Sequence, residues 1–282
     1  PQRRSTCRAP GGWLPRRDDM KPPTARPSAL LLIPAGAGLL LVAVPVIGLL
    51  QRAPWSSLLD RLTSDTVLDA IQVSVTVSVA AAIIATVLGL PLAWLLARHD
   101  GRLATLVRAA VLVPMVLPPV VGGTALLFAL GRRGLVGQWL DSWFGITLPF
   151  TTAGAVVAAS FVALPFFVTT VEASLRQAGT DLEEAAAVTG AGPLTAFVTV
   201  TVPASRDAIL AGLALAWARA LGEFGATITF AGNLAGRTRT LPLEIFLALE
   251  SDPESAVAVS VLLLSVSFVV LIVLRGRWFS RG

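Results

Sequence analysis

Residues Thr180 to Pro203 read TDLEEAAAVTGAGPLTAFVTVTVP, a polar, helix-prone stretch set between two long apolar runs. Thr180 and Glu183 have the spacing of a capping box, in which the hydroxyl accepts from a free backbone N–H and the carboxylate reaches back. Asp181, Glu183 and Glu184 fall in a first turn, where the helix dipole favours acids. Ala185, Ala186 and Ala187 are strong helix formers. Gly190 suits the left-handed conformation that ends a helix, and Pro193 suits the first position of another. Pro203 closes the unit and is expected to begin the next membrane helix. The stretch therefore reads as a helix–turn–helix lying at a membrane surface, not as a span.

The composition around it demands a membrane. The chain has 282 residues, 55% apolar and 14% charged, with a mean hydropathy of +0.77; a soluble domain carries about 25% charged residues. Several apolar runs exceed the ~20 residues that a bilayer-spanning helix needs. The fold class is all-α and polytopic, with six transmembrane helices predicted near 30–50, 69–97, 103–130, 151–175, 205–231 and 256–274. Residues 1–28 carry seven Lys/Arg and no apolar periodicity, and are expected to form a disordered cytoplasmic tail. Met20, followed by KPPTARPSALLLIP, is a candidate translation start that would leave 1–19 untranslated. The six-helix domain covers 29–276 and a short cytoplasmic tail covers 277–282.

Two of the spans carry unusual residues. The third holds Pro114, Pro118 and Pro119 before Gly122, Gly123 and Thr124. Each proline removes a helical N–H and crowds a preceding carbonyl. In lipid such broken backbone is tolerated inside protein or beside a water-filled cavity, so this face is expected on a translocation path. The alternative is a kink packed against a neighbour. The fifth span holds Arg219 and Glu223, four apart and so on one helix face, with Thr227 one turn on. An ionisable residue inside a span is a functional-site hypothesis by default; the plainer alternative is an ion pair locking two helices. Ala208, Gly212 and Ala216 form a stripe that permits close helix contact.

The other segments read more simply. Gln72, Ser74, Thr76 and Ser78 make the second span half-polar at its start, with hydroxyls expected to bond their own helix. Leu135, Val136, Trp139, Leu140, Trp143 and Phe144 recur at helical spacing, as in an interfacial helix with Trp at headgroup depth. Leu241 to Leu249 reads as a second short interfacial helix. His99 sits in a basic turn and is assigned no role.

Six spans put both ends of the chain on one side. That side carries fifteen Lys/Arg against six on the other. The positive-inside bias then places the termini and the Thr180–Pro203 stretch in the cytoplasm. The net charge of +5 does not imply nucleic acid, because the basic residues cluster beside spans. The single Cys7 excludes an internal disulfide and a cysteine-built metal site. A lone His99 argues against a histidine-built metal site or triad.

Glu184-Ala185-Ala186, three residues, Gly190, nine residues, Val200, one residue, then Val202-Pro203 is a spacing that resembles the coupling loop of ABC-importer permeases. The family usually has Ile at the place of Val200 and Leu at that of Val202. VLPPVVGG (116–123), GRRGLVGQWLDSWFGIT (131–147) and ARALGEFGATITFAGNLAGRTRTLPLEIF (218–246) resemble the molybdate branch of these permeases. The sulfate/thiosulfate branch is the nearest relative.

The resemblance implies a type I ABC-importer permease fold, in which Glu183, Glu184, Ala185, Ala186, Gly190 and Pro203 couple to an ATPase. It implies a molybdate importer, carrying tungstate as well, that works as a homodimer by alternating access in a bacterial inner membrane. The implied partners are an ABC ATPase dimer, an extracytoplasmic molybdate-binding protein and membrane lipid. The chain has no Gly-x-x-x-x-Gly-Lys-[Ser/Thr] phosphate loop, and its only lysine is Lys21. ATP and Mg are then used by the partner ATPase, with no cofactor bound here, no catalytic residue and no enzyme activity. Pro118, Pro119, Thr124, Arg219, Glu223, Thr227 and Thr229 are the expected path residues. A sulfate/thiosulfate permease and a passive anion channel are the rival readings. A membrane enzyme would need a catalytic cluster, which a chain without a Cys/His pair and with few intramembrane carboxylates does not offer.

Overall fold

The computed structural model describes residues 29–279, and every regular element among them is a helix. The expected tail at 1–28, its start at Met20 and the last residues 280–282 lie outside the described residues. The chain divides into two units, one up to Gly48 and one from Leu49 onward. Helix α1 (Ala29–Gln51) fits the first predicted span and carries Pro34 and Pro45 inside it.

The second unit is built around α3 (Asp65–Arg98) and α7 (Thr152–Ala178), with α11 (Arg206–Leu221) packed on both. Small residues bring these helices together, as expected where lipid offers no hydrophobic drive. Ala81, Ala85, Ala159 and Ala163 are fully buried between them. A Cβ on Gly89 of α3 would lie 2.7 Å from the Phe167 ring, and one on Gly212 of α11 3.2 Å from Phe167 and Val171. The Gly212–Ala216 part of the expected small stripe is therefore the packing side of α11; Ala208, one turn earlier, is half-buried. At ~1.5 Å per residue, the 34 residues of α3 run about 51 Å. That exceeds a ~30 Å hydrocarbon core.

Among the described residues, four helices are each long and apolar enough to cross a membrane, and up to six spans result if two bent pairs, Arg102–Val116 with Pro119–Leu130 and 193–204 with α11, each count as one by length and composition. The third predicted span is not one kinked helix. α4 (Arg102–Val116) and α5 (Pro119–Leu130) meet at 117° across Leu117–Pro118. Leu117 and Pro118 are extended (ψ 135° and 134°), the backbone that a following proline imposes. The fifth is also divided: α11 stops at Leu221 and α12 (Gly225–Phe230) begins after a break at Gly222–Phe224.

Further corrections concern the loops. α6 (Gly137–Phe144) has Trp139, Trp143 and Phe144 exposed along one side, with the two indoles 5.3 Å apart, as the periodicity predicted. The segment 241–249 forms the short helix expected there, and it is packed on its neighbours. α13 (Leu241–Ser251) buries Leu241, Leu243, Glu244 and Ala248 and packs on α3 and on α14 (Pro253–Phe279). Its entry is fixed by α3: Ser74 Oγ accepts from the Leu241 N–H at 2.6 Å, rather than bonding its own helix. Ser78 does bond its own helix, at the Val75 carbonyl. α2 (Leu58–Leu62) is held to the start of α14 by Arg61, which hydrogen-bonds Asp252, Glu254 and Ser255.

Candidate coupling site and translocation path

The stretch 180–203 folds as two helical pieces around a glycine turn. α8 (Asp181–Val188) is followed by Gly190 at φ +90°, and its N–H donates to Ala187 O at 3.0 Å. α9 (Pro193–Ala196) opens with its proline at the first position, then passes into a π-helical turn, Phe197–Thr201, and α10 (Val202–Ala204). Pro203 does not start the next long helix. It lies inside a segment, 193–204, that meets α11 at 76°, and α11 starts at Arg206.

The capping box does not form. Thr180 Oγ1 instead donates to Glu184 Oε1 at 2.5 Å, and Glu183 turns inward. Its carboxylate accepts from Arg98 Nε (3.0 Å) and Nη2 (2.9 Å), from Trp94 Nε1 (3.2 Å) and from Thr201 Oγ1 (2.6 Å). Four charge-assisted bonds outbid a single backbone N–H. Burial pushes the Glu183 carboxyl up, but hydrogen bonds from Arg98, Thr201 and Trp94 outweigh it and hold the group below its ordinary value. The neighbours differ: Glu184, Ala185 and Gly190 are exposed and Ala186 is half-buried. Leu182, Val188 and Leu194 also face outward, Val188 at 89% exposure.

A second ionic knot joins the helix ends beside this stretch. Glu172 of α7 accepts from Arg108 of α4 (2.6 Å) and Arg176 of α7 (3.2 Å), and Arg176 also reaches Asp100 (2.8 Å). The Arg176 hydrogen bond holds the Asp100 carboxyl below its ordinary value. His99 is exposed, with Nδ1 3.0 Å from Leu95 O.

The expected path residues come together where the two broken helices meet. α5 packs on α12. A Cβ on Gly225 would lie 2.4 Å from Pro119 Cβ, and one on Gly123 would lie 2.7 Å from Thr229 Cβ and 2.9 Å from Ala226 O. Arg219 and Glu223 pair at 2.7 Å, as their spacing predicted, but Glu223 lies beyond the end of α11. There it accepts from the Ala226 N–H at 2.8 Å and is 2% exposed, while Arg219 is 28% exposed. The carboxylate thus bridges the last turn of one helix and the first turn of the next. Thr124 and Thr229 donate to carbonyls of their own helices, Val120 O and Gly225 O. Thr227 is buried, and its hydroxyl has no partner among the described residues.

Sequence reasoning missed Trp94, Arg98, Phe197 and Thr201. Arg98 was counted only for orientation. The available signal was the i, i+4 spacing of Trp94 and Arg98 at the end of a long helix. Gly123 and Gly225 were quoted for resemblance, but their close contacts have no mark in spacing.

A helical membrane body with an outward-facing, glycine-hinged element between spans, and two broken helices meeting within it, has the plan of an ABC-importer permease subunit. The family model described as the binding-protein-dependent transport system inner membrane component matches residues 85–280, and the chain belongs to that family of multi-pass inner-membrane permeases. The molybdenum transport system permease protein ModB of Mycobacterium tuberculosis is 45% identical over 258 residues, 92% of this chain and 97% of that one. The protein of the same description from Escherichia coli K12 is 38% identical, covering 75% and 93%. The sulfate transport system permease protein CysT of Salmonella typhimurium is 37% identical, covering 79% and 80%. Among solved structures, a bacterial ABC transporter involved in import of the acidic polysaccharide alginate shares the fold, with a TM-score of 0.70, 17% identity, and 88% and 93% covered.

Proposed function

We propose that this ABC-importer permease carries molybdate, and tungstate with it. The observation that carries the substrate is the 45% identity to a molybdenum permease across 92% of the chain. The subunit works as a homodimer on two ATPase subunits, which use the ATP and Mg, and is fed from outside by a molybdate-binding protein. Both termini and the 180–203 stretch face the cytoplasm. α8 and the segment from Pro193 seat in the ATPase through Glu184, Ala185, Ala186 and the outward-facing Leu182, Val188 and Leu194. ATP-driven closure of the ATPase pair carries these elements together, tilts the spans and opens the path outward; hydrolysis reverses it. The permease makes and breaks no bond in its cargo.

A dianion is costly in a low-dielectric path, so passage requires water and donors rather than a tight site. Proline and glycine breaks supply that, since non-helical backbone at membrane depth belongs beside cavities. The Pro118–Pro119 break and the Gly222–Phe224 break are the gate region, with Arg219, Thr124 and Thr229 beside it and Glu223 and Thr227 as its packed support. Trp139 and Trp143 anchor α6 in the lipid interface.

The 37% identity to a sulfate permease favours sulfate as the second reading. The test is uptake of radiolabelled molybdate by cells expressing the chain with its ATPase and binding protein, with excess sulfate present. ATP-dependent uptake that resists sulfate is the expected result. Uptake abolished by sulfate assigns the chain to the sulfate reading. ATP-independent flux that survives replacement of 180–203 would make it a passive channel.

A further inference from the structure

α8 is poorly attached by its own packing. It has eight residues, none of them buried, and so short a helix has little intrinsic stability. Gly179 at φ +69° precedes it and Gly190 at φ +90° follows it, so both chain connections run through glycines at positive φ with open space where a Cβ would be. A helix hinged at both ends transmits nothing to the spans unless something else holds it.

Glu183 is that hold. Trp94 and Arg98 project from one face of the last turns of α3 and both donate to its carboxylate, Arg98 as a two-pronged fork. Thr201, from the second half of the same stretch, donates to it as well. Phe197 packs edge-on against Trp94, with ring centres 5.3 Å apart. Arg98 uses its remaining nitrogen on Leu175 O in the last turn of α7 (3.0 Å). One carboxylate therefore joins α8, the π-helical turn and α3, and reaches α7 through Arg98. The Arg98 and Glu183 side chains are 12% and 17% exposed, whereas the adjacent Glu184 faces outward.

The geometry points to Glu183 as a positioning residue that carries movement of the coupling stretch into α3 and α7 through Arg98, and not as a contact to the ATPase. The inference rests on the proposal that 180–203 docks on an ATPase. Within the sequence EE at 183–184 it divides the labour: the second acid faces the partner and the first faces the spans.

The test uses the whole transporter, permease with ATPase and binding protein in proteoliposomes, with molybdate as the probe anion. Two quantities are read: ATPase copurifying with the permease, and ATP hydrolysed per anion imported. Glu183→Gln is expected to keep the ATPase bound and to raise ATP consumed per anion about tenfold, the size of losing one charge-assisted hydrogen bond. Arg98→Gln should reproduce this, and the double variant should be no worse than either. The swap Glu183→Arg with Arg98→Glu keeps an ion pair, should restore coupling in part, and serves if a single variant fails to insert.

Loss of bound ATPase in Glu183→Gln, an unchanged ratio, additive losses in the double variant, or a swap no better than the singles each overturns the inference. Gly190→Pro is the separate control for docking. If it keeps the ATPase bound and transports normally, the docking proposal itself fails. If it releases the ATPase while Glu183→Gln is normal by both readouts, only the role of Glu183 falls.

Discussion

Glycine serves opposite needs at the two regions that matter most. At the coupling stretch, Gly179 just before it and Gly190 within it have open space around the missing Cβ but positive φ, so what they provide is a backbone conformation. At the meeting of the broken helices, Gly123 and Gly225 have no room for a Cβ, which would fall 2.7 and 2.4 Å from its nearest neighbour, so what they provide is an absence of volume. The charges differ in the same way. Arg98–Glu183 is shared among several hydrogen bonds at a helix end, whereas Arg219–Glu223 is an ion pair with its acid almost fully buried at a helix break. One region is built to be moved as a piece, the other to hold two helices in contact while their backbones are interrupted.

The sharpest way to break this comparison is Gly190→Pro. Proline is locked near φ −65° and has no N–H, so it can supply neither the +90° turn nor the bond to Ala187 O. Complete loss of copurifying ATPase, with membrane insertion intact, is the expected outcome. Arg219→Ala comes next. It strands the buried Glu223 and should destabilise the purified permease by about 3–5 kcal/mol, read by thermal unfolding in lipid. Adding Glu223→Ala should recover part of that loss; additive losses would mean the two residues act separately.

Substituting the two kinds of glycine sharpens the contrast at smaller size. Gly225→Ala should cost about 1–3 kcal/mol by overpacking against Pro119 and reduce uptake while ATPase stays bound. Gly190→Asn should be nearly silent, since Asn tolerates the left-handed region. The reverse ranking in thermal unfolding would contradict the assignment of roles. The smallest effect is with pH. Because Glu183 is held below its ordinary value in the folded chain, its contribution is present above the unfolded value and lost as pH falls through the folded one. ATP consumed per anion should therefore stay flat down to the ordinary carboxylate range and rise only below it. A rise at neutral pH would remove Glu183 from the coupling route.

What the sequence made legible follows from what periodicity can encode. Apolar runs, the Gly190 turn and Pro193 at a helix start are local signals, and each has its counterpart in the structure. The i, i+4 spacing predicted the Arg219–Glu223 pair. The capping box at Thr180 failed because its acid found stronger partners 85 and more residues away in sequence, at Arg98 and Trp94. The packing of 241–249 went unseen for the same reason: Ser74, 167 residues distant, ties the start of that helix to α3. The break at Leu117–Pro118 was legible from its prolines, but its 117° angle was not, because prolines announce a break without announcing its angle.

The central claim is that 180–203 is the face that meets the ATPase. A photo-crosslinking amino acid at Val188, 89% exposed on α8, tests it most directly, with Leu59 on α2, 76% exposed, as the control. In membranes holding the assembled transporter, irradiation should join the permease to the ATPase polypeptide from position 188 and not from 59. Absence of an ATPase adduct at 188 in a complex that still transports, or an adduct at 59 instead, would contradict the account.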